Sequence, residues 1–145
     1  MEVKLRLEGQ RQLLNSLSLL IKATKDTRSL MAKLAVLGFK DIMAHFKTES
    51  GPDGRWAPLS PRTLLGRRKK GKGAKILQDT GRLRASIQPL VESPRRAVLA
   101  STNVIYARTH QFGRGRIPAR PFMWLSRQTK NNMLDLARAQ LRRRA

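Results

Sequence analysis

Hydrophobic and polar positions change period several times along the chain, and each change predicts an element. Val3, Leu5 and Leu7 alternate with Glu2, Lys4, Arg6 and Glu8. That period of two predicts a half-buried strand, closed by Gly9. From Gln10 the spacing lengthens. Leu13, Leu14, Leu17, Leu20 and Ile21 make a helical stripe. Asp26 or Thr27 can then cap a second helix, whose apolar face is Met31, Leu34, Ala35, Phe39, Ile42 and Phe46. The pair predicts a helical hairpin that packs on the sheet and supplies most of the core.

Pro52, Asp53 and Gly54 end that helix with turn chemistry. Ser60 followed by Pro61 predicts a short helix, with the hydroxyl as cap and the ring at the first helical position. Another short helix follows in "LQDTGRLRASI", capped by Asp79 or Thr80. "SIQPLVES" and "RAVLASTN", on either side of Pro94, Arg95 and Arg96, read as a hairpin. "NVIYARTHQFG" predicts a helical turn or two, with Asn103 as cap and Gly113 as stop. "RGRIPARPF" is extended, because a residue before proline avoids the helical region. A terminal helix runs from about Phe122, with Phe122, Leu125, Met133, Leu136 and Leu141 on one side. The predicted class is α+β: a small antiparallel sheet packed by a long N-terminal helical hairpin, plus a C-terminal helix. The length of 145 residues suits one domain, 1–145, with a basic flexible loop at 66–75.

Charge changes the picture. The chain has 31 Lys and Arg against 9 Asp and Glu, a formal net charge of +22. Such a field attracts polyanions and opposes compaction of a lone monomer. The basic stretch "GRRKKGKGAK" nearly spells a phosphate-binding loop through Gly66, Gly71 and Lys72. That loop needs a strand before it and a Ser or Thr after the lysine, and here Gly73 follows. Two readings remain. Arg67, Arg68, Lys69, Lys70, Lys72 and Lys75 form a solvated, mobile loop, or they contact a polyanion or an acidic partner. A mobile loop can also order on a partner, so the two overlap.

Candidate chemistry is sparse. With no cysteine, disulfides and thiolate metal sites are excluded. Neither His45 nor His110 stands at a metal-ligand spacing from a second ligand. A structural hydrogen bond is the simpler role for His110, and a helix cap for Asp79. Trp56 and Trp124 read as core or interface anchors in a chain this poor in aromatics. No cofactor, metal or catalytic residue is expected. The N-terminal "MEVKLRLEGQ" has no apolar core of signal-peptide length, and no run approaches the ~20 apolar residues that span a bilayer. The expectation is an intracellular soluble protein, or one assembled inside a cell, with no membrane partner.

Four stretches carry a resemblance: "GPDGRWAPLSPRT" at 51–63, "KILQDTGRLRASI" at 75–87, "NVIYARTHQFG" at 103–113 and "IPARPFMWLS" at 117–126. In that order and spacing they resemble the phage virion morphogenesis family, the tail-completion proteins of contractile- and long-tailed bacteriophages. The resemblance implies a structural protein without catalysis, assembled in the host cytoplasm and carried in the tail or neck of the virion. It implies tail completion or termination and head–tail joining, by a homo-oligomeric ring, most often a hexamer, around the DNA channel. The implied partners are other copies of the chain, the tail tube protein and a head-side connector or stopper, with the sheath and genomic DNA as further contacts. In that light Trp56, Pro58, Arg120, Pro121, Phe122 and Trp124 are candidate interface residues, since large groups on stiff backbone lose little entropy on docking. Packing within the domain competes for the same side chains. Arg120 can brace its segment through a carboxylate or a carbonyl. The rival reading is a non-enzymatic basic nucleic-acid-binding protein.

Overall fold

The computed structural model describes Val3–Leu5, Asn15 and residues 27–143. In chain order the elements are β1 (Val3–Leu5), α1 (Arg28–Thr48), β2 (Ser50–Gly51), β3 (Gly54–Arg55), α2 (Pro61–Lys69), α3 (Arg82–Ser86), β4 (Gln88–Ser93), β5 (Arg96–Thr102), α4 (Ala107–Phe112) and α5 (Arg127–Arg142). The class is α+β, as the patterning predicts. The stripe of the expected first helix, Leu13, Leu14, Leu17, Leu20 and Ile21, lies outside the described residues, as do Arg144 and the side chain of Leu141.

The main sheet is antiparallel, in the order β1-β5-β4. Leu5 pairs with Ala100 and Val3 with Thr102, while Leu90 pairs with Val98 and Ser93 with Arg96 across the hairpin. Register shifts near Gln88 and Val91 mark irregularities in β4. Pro89 is tolerated in that strand because β4 is an edge. Val98, Leu99 and Ala100 are buried in succession, so both faces of the central strand are covered. The turn "PDG" is flanked by a second, two-stranded sheet of β2 and β3, too short for periodicity to predict.

α1 lies across the main sheet and divides the core. Its first half, with Leu30, Met31 and Leu34, packs with Leu99 of β5 and with Leu125, Met133 and Ala137 at α5. Its second half, with Ile42 and Phe46, packs with Trp56, Leu83, Ile87, Ala107 and Phe122. Between the halves is Gly38. A Cβ there would stand 2.8 Å from Leu99 Cβ, so the close approach of helix to strand depends on the missing side chain.

Local boundaries follow the sequence in some places and depart in others. Ser60 caps α2: its hydroxyl accepts from Thr63 N at 3.2 Å, with Pro61 just inside the helix. That helix continues through Lys69, so the first part of the expected 66–75 loop is helical. Arg and Lys are good helix formers, and a charge run is no barrier to helix. α3 starts after Gly81, whose φ is 75°, and not on an Asp79 cap; Thr80 Oγ1 accepts from Arg82 N at 3.3 Å. α4 starts after Tyr106, not at Asn103. Thr102 organises the approach instead, its hydroxyl accepting from Val104 N at 3.2 Å and meeting Ser86 Oγ at 2.6 Å. Gly113 ends α4 as expected, at φ 76° and ψ 159°. α5 begins at Arg127 and not at Phe122, because Ser126 caps it by accepting from Thr129 N at 3.2 Å. No helix among the described residues is long and apolar enough to cross a membrane.

Candidate functional site

The C-terminal end of α1 is the hub on which distant stretches converge. Glu49 leaves the helix in the left-handed region, at φ 53°, and its carboxylate accepts from Ile76 N at 2.7 Å. Its backbone carbonyl accepts from Trp56 N at 2.8 Å. Gln78 donates to the Phe46 carbonyl at 2.9 Å, which satisfies one of the helix's last acceptors. Asp41, on the same helix, receives Ser126 N at 2.7 Å and Ser126 Oγ at 3.0 Å. His45 stacks on Trp124, with ring centroids 4.0 Å apart, and its Nε2 lies 3.1 Å from the Trp124 carbonyl. Burial holds the His45 pKa below the ordinary imidazole value, against the opposing influence of Asp41 and of that carbonyl.

The proline-bearing segment at 117–123 is clamped from both sides. Arg120 is buried, at 6 % exposure. Its Nε donates to the Ala57 carbonyl at 2.7 Å and its Nη2 to the Pro58 carbonyl at 2.8 Å. The planar fork suits two acceptors on one loop. Burial, then the nearby Arg67, lower its pKa from the usual arginine value. Trp56 returns the tie, donating from its indole to the Pro121 carbonyl at 2.8 Å. From the other side Gln111 acts like a strand neighbour. Its Oε1 accepts from Phe122 N and Met123 N, both at 3.0 Å, and its Nε2 donates to the Met123 carbonyl at 3.1 Å. Phe122 lies fully buried beside Phe46, centroids 5.5 Å apart, and Trp56 meets the Phe46 ring edge-on at 5.6 Å.

Of the candidate interface residues, Trp56, Arg120 and Phe122 are buried within the subunit, where packing inside the domain competes for them, and Arg120 braces its segment through carbonyls. Each finds a complement within its own chain: a carbonyl for the indole and the guanidinium, and the aromatic cluster for the phenyl ring. Pro121 and Trp124 are half-buried, and Pro58 is exposed. The large exposed apolar residues are others: Ile105 at 82 %, Phe112 at 68 % and Leu65 at 55 % lead them.

The basic stretch divides likewise. Arg67 is turned inward, donating to the carbonyls of Lys75 at 2.7 Å and Gly73 at 3.3 Å. Lys72 Nζ reaches Asp79 Oδ1 at 3.0 Å, and Arg67 Nε lies 3.7 Å from the same oxygen. Residues 70–75 are thus folded back on Asp79, whose pKa is lowered, chiefly by the hydrogen bond from Lys72. Arg68, Lys69, Lys70 and Lys75 remain exposed.

These ties frame an open cleft of about 850 Å³. Pro58, Leu59, Ser60 and Thr63 form one wall and Leu77 to Leu83 another, closed by Tyr106, His110 and the segment Arg116 to Arg120. Every one of the four resembling stretches contributes to it. His110 and Asp79 both line it, with Asp79 already engaged by Lys72. The His110 pKa is lowered by burial and then by Arg120, and its Nδ1 is buried with no hydrogen-bond partner.

The model of the phage virion morphogenesis family matches residues 8–142, a wider span than the 51–126 covered by the four stretches. No curated protein and no solved structure matches the chain.

Proposed function

The chain belongs to the phage virion morphogenesis family, and from that premise we propose that it is a structural part of the tail or neck that completes the tail. In this reading copies assemble as a ring on the end of the tail tube. The ring stops further addition of tube subunits, presents a face to the head-side connector or stopper, and surrounds the DNA channel. It works by shape and contact and performs no catalysis.

The observation that carries this reading is the convergence of the four stretches on one braced cleft. The clamps on 117–123 are structural devices that hold a surface in shape, which is what a docking component needs. Ile105, Tyr106 and Phe112, exposed on and beside α4, supply apolar area for contact between copies in place of the buried Trp56 and Phe122. In a closed ring such a patch meets a different surface of the next copy. The test is deletion of the gene in the phage that encodes it. Full heads should accumulate beside unjoined or overlong tails; normal, infectious particles would refute the role.

The charge supports one rival, a basic nucleic-acid-binding protein. Each phosphate neutralised should steepen the fall of log K with log salt by about 0.9 on duplex DNA. Tight duplex binding by the monomer, with a slope of many contacts, would favour the rival. Binding that waits for tail tubes would favour assembly.

A further inference from the structure

The cleft beside the brace has the chemistry of a binding site for a particular kind of chain. Its cations are Arg67, Arg82, Arg116 and Arg120. Two are already committed: Arg67 to the folded basic segment and Arg120 to the Ala57 and Pro58 carbonyls. Arg82 and Arg116 are exposed. Among the described residues the lining has one carboxylate, Asp79, and Lys72 matches it at 3.0 Å. Positive charge at the mouth is therefore in excess. Between the cations the accessible surface is apolar, with half-buried Leu59 and with Ile117, 43 % exposed, over the buried Leu77 and Leu83. The orphaned Nδ1 of His110, in the same wall, is a buried polar atom of the kind that usually has a partner.

From this we infer that the cleft receives a short acidic segment of a neighbouring virion protein, its carboxylates on Arg82 and Arg116 and its apolar side chains against Leu59 and Ile117. This rests on the assembly role for its source of partners. Charge complementarity selects the occupant. The cleft's arginines call for carboxylates, and only 9 residues of this chain are acidic, so a segment of a different protein is the better source. Duplex DNA is convex and carries no aliphatic side chains to cover Leu59 and Ile117. The volume falls in the range of about 300–1,000 Å³ that suits a ligand of a few residues.

The experiment uses the full chain and a short fluorescein-labelled peptide rich in Glu with two leucines, read by fluorescence anisotropy at fixed salt. Arg82→Glu combined with Arg116→Glu should weaken binding about tenfold or more. Lys33→Glu with Lys40→Glu makes the same charge change on the exposed side of α1, away from the cleft, and should alter it less than about twofold. A peptide with glycine in place of leucine should bind more weakly. Equal losses from the two double variants would overturn the inference, as would indifference to the leucines. So would a cleft variant that loses duplex DNA and keeps the peptide, which would make the cleft a nucleic-acid contact. Deletion that yields unjoined tails, together with failure of the peptide, would remove the cleft's role and leave the assembly role intact.

Discussion

Arg120 decides between bracing and partner contact, and its removal has a calculable cost. Arg120→Ala deletes two charge-assisted hydrogen bonds, at 2.7 and 2.8 Å. At about 1.5–3 kcal/mol each, they would sum to about 3–6 kcal/mol. The Pro58 carbonyl belongs to an exposed residue and that of Ala57 to a half-buried one, so water can reach part of what is freed. Relief of the guanidinium's own burial works in the same direction. The expected loss is therefore about 2–4 kcal/mol. For a domain of this size that lowers Tm by roughly 5–15 °C. Arg120→Lys keeps the charge, but a point ammonium cannot fork across both carbonyls, so about half that loss is expected. Calorimetry or tryptophan fluorescence on dilute protein, with the monomeric state checked by sedimentation, reads the effect. If Arg120→Ala left Tm within about 1 °C of the parent while assembly failed, the side chain would be partner-facing and the brace would carry no stability.

Other consequences follow from the same geometry. Gly113 lies in a region that only glycine adopts freely, and a Cβ there would meet Ala119 N at 2.9 Å. Gly113→Ala should cost about 2 kcal/mol or more in urea unfolding, and an unchanged midpoint would contradict the strain. Gln111→Ala strands the amides of Phe122 and Met123 and should cost about 2–3 kcal/mol. Gln111→Glu should restore only part, because its carboxylate would face the Met123 carbonyl; full recovery would show that the amide donor is idle. His45 and His110 both have folded pKa values below the unfolded one. The unfolded chain therefore takes up protons first as pH falls. Their contribution is whole above about pH 6.5 and lost as pH drops through the depressed folded values. Denaturant midpoints should fall between about pH 8 and about pH 5, and His45→Gln should flatten the slope; a parent with equal midpoints would refute it.

Local chemistry was legible in the sequence wherever neighbours along the chain settle the outcome. The face of α1 through Met31, Leu34, Ile42 and Phe46 is buried as its spacing requires. The β4–β5 hairpin, the Ser60–Pro61 start of α2 and the Gly113 stop of α4 follow from period, capping and φ alone. What distant residues do to one another was not legible. A charge run looks solvated until Asp79 and two carbonyls are found to hold Lys72 and Arg67. A tryptophan on a stiff loop suits a partner as well as a core, and only the Pro121 carbonyl and Phe46 make the core the answer for Trp56. The sequence by itself determined the class and most of the elements, the surplus of positive charge and the family likeness. The tertiary structure alone decided which of the candidate anchors are buried inside the subunit and which side chains stay exposed. The reason is that a hydrogen bond or an aromatic contact has a partner only in three dimensions, and burial depends on where that partner lies.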